Sequence, residues 1–105
     1  IPEGVWGRHA VIFSNQSFYV QRDRWNLWDR KEFMISLSVD GCKTWPVQKL
    51  IYEGPCGYSS TTLTHNGDVV ALYEKGKGFY RDTGISVAIF DKEWFLDGKD
   101  IKEIK

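Results

Sequence analysis

Residues 58–75 read YSSTTLTHNGDVVALYEK, two runs of β-branched and aromatic residues on either side of a short polar turn. Such residues favour extended backbone, and Asn66-Gly67 suits a two-residue type I′ turn, in which both central residues have positive φ. We therefore predict that residues 58–64 and 69–75 pair as antiparallel neighbours across a type I′ hairpin.

Runs of the same kind recur along the chain. Six of them are bounded by turn residues: HAVIFS (9–14), FMISLSV (33–39), QKLIYE (48–53), YSSTTLT (58–64), VVALYEK (69–75) and GISVAIF (84–90). In the second run every other residue from Phe33 to Val39 is large and apolar, as in a half-buried strand. No helical period extends over three turns, and residues 91–105 are compatible with either a short helix or a final strand. The sequence predicts an all-β protein.

Composition and charge restrict the class of protein. The chain has 105 residues, of which 15% are aromatic, and a formal net charge of +0. These values fit one soluble globular unit, a whole domain or part of one, with no internal linker. Nucleic-acid binding is not supported, because it usually shows as an excess of basic residues. No apolar run approaches the ~18 residues that span a bilayer.

The cysteines and histidines form no disulfide or metal pattern. Cys42 and Cys56 flank a run that is predicted to be extended, and at about 3.3 Å per residue its ends lie too far apart for a disulfide. We therefore expect two free thiols. His9 and His65 are distant in sequence, and no Cys-x-x-Cys or His-x-x-x-His pair occurs, so we predict neither a metal nor a cofactor.

Six strands without long helices need a second layer over their apolar face. The sequence is compatible with a sandwich, a closed barrel, or a section of a larger array of sheets. Residues 16–32 are predicted to form a long aromatic and basic loop between the first two strands. Its large aromatic residues either line a binding surface or pack as a cover over an edge or a subunit contact. They are Phe18, Tyr19, Trp25 and Trp28.

Residues 38–46, SVDGCKTWP, resemble the Asp-box of sialidases, a Ser-x-Asp-x-Gly-x-Thr-Trp turn that joins the outer two strands of a propeller blade. Ser38, Asp40, Thr44 and Trp45 stand at the matching positions. In such a box the carboxylate accepts backbone N–H groups of the turn and the tryptophan packs against the blade, so its role is structural. Here Cys42 replaces the usual glycine, and Gly41 lies one place early.

The residues that follow extend the resemblance to the C-terminal region of the sialidase (neuraminidase) family. GYSS, the Asn-Gly hairpin and ALYE occur in the family's order. By this match Tyr58 is the nucleophile, Glu74 supports an active-site arginine, and Arg30 binds the carboxylate of sialic acid. Arg22 and Arg24 are alternatives for the last role. Small neighbours on both sides of Tyr58 leave its ring accessible.

The resemblance implies the C-terminal blades of a six-bladed β-propeller, built from antiparallel four-stranded sheets and incomplete on its own. Residues 1–105 then form the C-terminal part of a single catalytic domain. Other parts of such a domain supply two further arginines, an aspartate acid/base and the glutamate that activates the tyrosine. The partners implied are sialylated glycans and the remainder of the propeller, in an extracellular, periplasmic or vesicular setting.

The activity that the resemblance implies is that of a retaining exo-α-sialidase, which releases terminal sialic acid from glycoconjugates through a glycosyl-tyrosine intermediate. Close variants are transfer of the sialyl group to another sugar and preference for a related keto-deoxy sugar acid. One alternative is a non-catalytic Asp-box propeller that binds carbohydrate or protein. Another is a free-standing β-sandwich lectin, against which the uncovered sheet edges argue.

Overall fold

The computed structural model describes residues 1–21, 28–75 and 84–105, with the backbone alone described at 16–21, 28–31 and 55. Its strands are β1 (Val11–Gln21), β2 (Trp28–Ser38), β3 (Val47–Leu63), β4 (Val69–Lys75) and β5 (Gly84–Phe90). Two short α-helices, α1 (Glu3–Trp6) and α2 (Lys92–Phe95), and a 3₁₀ turn (Ile101–Glu103) accompany them. None of the helices in these ranges has the length and apolar character that crossing a bilayer requires.

The five strands form an antiparallel meander in the order β1-β2-β3-β4-β5. β2 pairs with the first half of β3 as far as Pro55, and β4 pairs with the second half from Cys56 onward. β3 is therefore common to two three-stranded sheets. The all-β prediction is confirmed, and the arrangement is consistent with partial blades of a propeller, each with three described strands in place of four.

β3 joins two of the predicted runs, residues 48–53 and 58–64, in one strand of 17 residues. The residues between them, which include Gly54 and Pro55, are those that usually end a strand. A proline is tolerated in a sheet where no ladder partner needs its N–H, and Pro55 lies at the point where β3 leaves one sheet for the other. The strand therefore continues through the change of partner.

The prediction of a long loop over residues 16–32 is wrong. β1 continues to Gln21 and β2 begins at Trp28, so most of the segment is a two-stranded antiparallel ribbon. Aromatic residues favour paired strands, and this preference outweighs the high charge that indicates a loop. The remaining candidates of this segment, Arg22, Arg24 and Trp25, lie outside the described residues.

The core lies between the two sheets. Phe33, Ile35 and Leu37 are fully buried on one face of β2, as the alternating pattern predicts. The Phe33 ring stacks on Tyr73 of β4 with 4.5 Å between ring centroids, so that each sheet contributes to the same contact. The other buried apolar residues are Trp6, Ala10, Cys56, Val69, Ala71, Phe90, Phe95, Leu96 and Ile101. The N-terminal segment and the tail thus help to cover the sheets.

Of the two alternatives predicted for residues 91–105, a short helix or a final strand, the structure shows the helix. Asp91 begins α2 by accepting a hydrogen bond from the backbone N–H of Trp94 at 2.8 Å. Asp100 begins the 3₁₀ turn in the same way, through the N–H of Lys102 at 2.9 Å. Aspartate is a preferred residue at helix starts because its side chain satisfies an otherwise unpaired donor. These two caps direct the buried part of the tail onto the core.

The hairpin between β3 and β4 forms as predicted, but the prediction of a type I′ turn is wrong. Gly67 has a φ of 85°, whereas Asn66 does not have positive φ. The Gly67 N–H donates to the Thr64 carbonyl at 3.0 Å, and the Thr64 N–H donates to the Asp68 carbonyl at 2.8 Å. This is a three-residue loop with glycine in the left-handed region. The Trp6 Nε1–H donates to the Gly67 carbonyl at 2.8 Å and adds a tertiary constraint that the dipeptide does not show.

The turn after β2 is built around Asp40. Its carboxylate accepts hydrogen bonds from the Thr44 hydroxyl at 2.5 Å, the Thr44 N–H at 2.9 Å, the Lys43 N–H at 3.0 Å and the Ser38 hydroxyl at 2.9 Å. These bonds, foremost that of the Thr44 hydroxyl, lower the pKa of Asp40 from 3.8 to about 2. The following Trp45 packs on Phe13 of β1, with 5.8 Å between ring centroids.

Cys42 has a φ of 70° in this turn, a value that is uncommon for residues other than glycine. We expect Cys42→Gly to stabilise the protein by about 1 kcal/mol, because relief of left-handed strain exceeds the added chain entropy of the unfolded state. The Cys42 N–H, which donates to the Ser38 hydroxyl at 2.9 Å, is retained. Urea denaturation of the two proteins measures the difference. A lower midpoint for Cys42→Gly would show that the left-handed cysteine carries no strain.

Candidate active site

The three predicted site residues belong to three neighbouring strands. Arg30 lies near the start of β2, Tyr58 near the middle of β3, and Glu74 near the end of β4. Lys31, the residue after Arg30, pairs with Pro55, while Lys75, the residue after Glu74, pairs with Cys56. The backbone therefore brings all three strands together where β3 changes sheets. At Arg30 the structure describes the backbone alone.

A β-bulge lies at Tyr58. Cys56 pairs with Lys75 and Ser59 pairs with Tyr73, so Gly57 and Tyr58 together face the single residue Glu74. We call these three residues the Tyr58 bulge. Bulges bend a strand and redirect a side chain, and they are frequent next to active sites. The side chain of Tyr58 is 74% exposed, which leaves its phenol accessible on the surface of the described residues.

Glu74 holds the backbone of the tyrosine that it faces. The Tyr58 N–H donates a hydrogen bond to Glu74 Oε1 at 2.8 Å. A bulge interrupts the ladder of backbone hydrogen bonds between two strands. Here the Glu74 carboxylate accepts a hydrogen bond from the Tyr58 N–H at the point of this interruption. Because the acceptor is charged, the bond is of the stronger class.

Gly57 provides the space for this carboxylate. A Cβ atom at Gly57 would lie 2.8 Å from Glu74 Oε1 and 3.4 Å from Glu74 Cβ. The first distance is shorter than real contacts of a Cβ atom, so a larger residue would displace the carboxylate. The sequence interpretation gives Gly57 another role, that of leaving the Tyr58 ring open. The missed signal is glycine within a strand pattern, which often marks a bulge.

The residues beside the bulge hold β3 in place. Ser59 and Ser14 of β1 are joined by a hydrogen bond of 2.9 Å between their hydroxyl oxygens. On the buried side, Tyr52 lies beside Tyr73 with 6.0 Å between ring centroids, and Lys75 Nζ lies 4.8 Å from the centroid of the Tyr52 ring. These contacts fix the strand on either side of Tyr58.

The thiols are free, as predicted, and they are poor candidates for a nucleophile. Cys56 is buried, and burial raises the pKa of its thiol, which keeps the sulfur in its unreactive protonated form. Cys42 is exposed but lies in the turn around Asp40, at the end of the β2–β3 pairing opposite to the Lys31–Pro55 pair. Among the described residues, no three His, Cys, Asp or Glu side chains are grouped so as to hold a metal ion.

A groove of about 570 Å³ lies away from the Tyr58 bulge. Its lining residues include Leu50 of β3, Ile89 and Phe90 of β5, Trp94 of α2, Asp68 and Asp91. Among the described residues that line it, there is no basic side chain that would bind a carboxylate and no predicted site residue. On chemical grounds we therefore place the candidate site at the bulge and not in this groove.

No protein-family model matches the sequence. A relative among characterised proteins is similar to it over most of its length. The chain is 31% identical over 93 residues to a sialidase from Micromonospora viridifaciens. The aligned segment covers 89% of this chain and 12% of that sialidase. The chain is thus distantly similar to a segment of a sialidase, and the similarity agrees with the all-β fold. It concerns a small part of the relative, so the activity of a whole sialidase is a proposal for this chain.

Proposed function

We propose that this chain is the C-terminal part of a retaining exo-α-sialidase of the Asp-box propeller type, in which Tyr58 attacks the anomeric carbon of a terminal sialic acid. The observation that carries the proposal is the Tyr58 bulge. The side chain of Tyr58 is exposed there, and its backbone is held by the bond from the Tyr58 N–H to the carboxylate of Glu74 on the facing strand. The similarity to a sialidase supports the same reading.

A phenol suits this substrate because a sialic acid bears a carboxylate on the carbon under attack. An Asp or Glu nucleophile would meet that carboxylate as a like charge, whereas tyrosine approaches as a neutral group. In the first step the Tyr58 oxygen bonds to the anomeric carbon and the bond to the leaving oxygen breaks. The phenolic proton passes to a base, and the leaving oxygen takes a proton from an acid.

The proton-transfer groups come from outside these residues. By the family resemblance, a glutamate is the base for Tyr58 and an aspartate is the acid for the leaving group. In the second step a water molecule attacks the glycosyl-tyrosine, and the phenol leaves with a proton. Two displacements at the same carbon give a product with the configuration of the substrate.

Arg30 is assigned to the substrate carboxylate. Arginine presents two parallel N–H donors that match a carboxylate, so it fixes the orientation of the sugar as well as attracting it. The pairing of Lys31 with Pro55 places the Arg30 backbone beside the part of β3 that leads into Tyr58. Glu74 is assigned to the support of a further arginine from outside the chain.

The test is release of the fluorophore from an aryl α-sialoside by the complete protein that carries this chain. We expect hydrolysis by the complete protein and none by residues 1–105 alone, because the chain lacks the proton-transfer groups. An α-glucoside with the same leaving group serves as the control for unspecific hydrolysis. If the complete protein hydrolyses no sialoside over a broad range of pH, the proposal fails and a propeller that binds glycans without cleaving them is favoured.

A further inference from the structure

We infer that Glu74 also positions the nucleophile itself: its carboxylate holds the Tyr58 backbone N–H, and Gly57 is the residue that leaves room for it. This inference rests on the proposed function and adds a role to Glu74 beyond the support of an arginine. It is carried by the 2.8 Å bond from the Tyr58 N–H to Glu74 Oε1 and by the 2.8 Å approach of a Cβ at Gly57 to the same oxygen.

The bond acts on the part of Tyr58 that determines where its ring points. The N–H belongs to the bulge, where regular β pairing does not fix the backbone: the next paired positions are Cys56 on one side and Ser59 on the other. A shift of about 1 Å in a reacting group can cost about a hundredfold in rate. Glu74 thus supplies at Tyr58 the constraint that the interrupted ladder does not.

A carboxylate can serve two partners at once. It has two oxygens with about four lone pairs, so acceptance of the Tyr58 N–H by Oε1 leaves Oε2 for an arginine. One side chain would then set the position of the nucleophile relative to the group that binds the substrate carboxylate. We therefore expect substitutions of Glu74 to affect binding and bond cleavage through separable hydrogen bonds.

The bulge explains why this arrangement requires glycine. Gly57 and Tyr58 share one opposing residue, so the first of them lies directly over the Glu74 side chain. In contrast, a Cβ at Gly84 of β5 meets no atom of the described residues within 4 Å. Gly84→Ala is therefore a matched control for Gly57→Ala, since both introduce the same methyl group into a strand of this sheet.

The experiment compares four variants of the complete protein: Gly57→Ala, Gly84→Ala, Glu74→Gln and Glu74→Ala. We expect Gly57→Ala to lower kcat about a hundredfold, with Gly84→Ala close to wild type. Glu74→Gln keeps an oxygen that accepts the Tyr58 N–H, so its kcat should stay well above that of Glu74→Ala. Both Glu74 variants should lose affinity for free sialic acid, because an amide supports an arginine poorly.

A second measurement does not depend on activity. Hydrogen exchange of the peptide that contains Tyr58 should quicken in Glu74→Ala and Gly57→Ala and remain slow in Glu74→Gln. Equal kcat in Glu74→Gln and Glu74→Ala, or unchanged exchange in Gly57→Ala, would overturn the inference. If the wild type hydrolyses no sialoside, the proposed function fails and the positioning role falls with it. Slow exchange at Tyr58 would then report the hydrogen bond alone.

Discussion

Tyr58→Phe is expected to lower kcat of the complete protein by at least about a hundredfold on a sialoside with a poor leaving group. The substitution removes only the phenolic oxygen, which is the atom proposed to bond to the anomeric carbon. Because the ring is 74% exposed, its packing changes little. The backbone bond to Glu74 is also retained, since it comes from the N–H and not from the side chain. The loss should therefore reflect chemistry and not folding.

Tyr52→Phe is the matched control, because it removes a phenolic oxygen from the same strand six positions earlier. It should retain activity within about threefold, as expected for a residue outside the reaction. After acid quench during turnover, mass spectrometry should find one sialyl group on the wild-type peptide that contains Tyr58 and none on the Tyr58→Phe peptide. Undiminished turnover by Tyr58→Phe would exclude this residue as the nucleophile.

Phe33→Ala should cost about 3–5 kcal/mol of the free energy of unfolding. Phe33 is 0% exposed, and it stacks on Tyr73 across the two sheets, so its removal leaves a cavity where the sheets meet. The stability of a typical domain is about 5–15 kcal/mol, so that a loss of this size removes a large part of it. Urea denaturation followed by tryptophan fluorescence measures the change.

Phe13→Ala provides the comparison for this prediction. Phe13 is 50% exposed and packs against Trp45, so the same truncation should cost less than about half as much. Similar losses in the two variants would mean that the contact between Phe33 and Tyr73 does not carry the stability assigned to it.

The strands are predictable from sequence because their signals are local. Alternation from Phe33 to Val39 identifies β2 and its buried face, and the β-branched runs identify β4 and β5. What the sequence does not show is which neighbour each strand chooses. β3 continues through Pro55 while its pairing partner changes, and the turn at Gly67 accepts a hydrogen bond from Trp6, which is distant in sequence.

The candidate site shows the same division. Tyr58, Glu74 and Arg30 come from the order of short motifs, and the structure places their strands side by side. The bond from the Tyr58 N–H to Glu74 is not predictable from the sequence. It depends on the bulge, in which two residues of β3 face a single residue of β4. Gly57 is the local sequence signal for this bulge, because glycine within a strand pattern often marks one.

β3 has a consequence for how such a protein diversifies. Its two halves serve different sheets without an intervening loop, so a recombination event between Pro55 and Cys56 would cut a paired strand. If one sheet were exchanged for a divergent copy, the half of β3 in the new sheet would also have to continue correctly into the half of β3 in the retained sheet. Among the described residues, the turns at 39–46 and 64–68 lie between strands, so a crossover there leaves every described strand whole. The two sheets are therefore expected to be inherited together, as one evolutionary unit that carries Tyr58 at its joint.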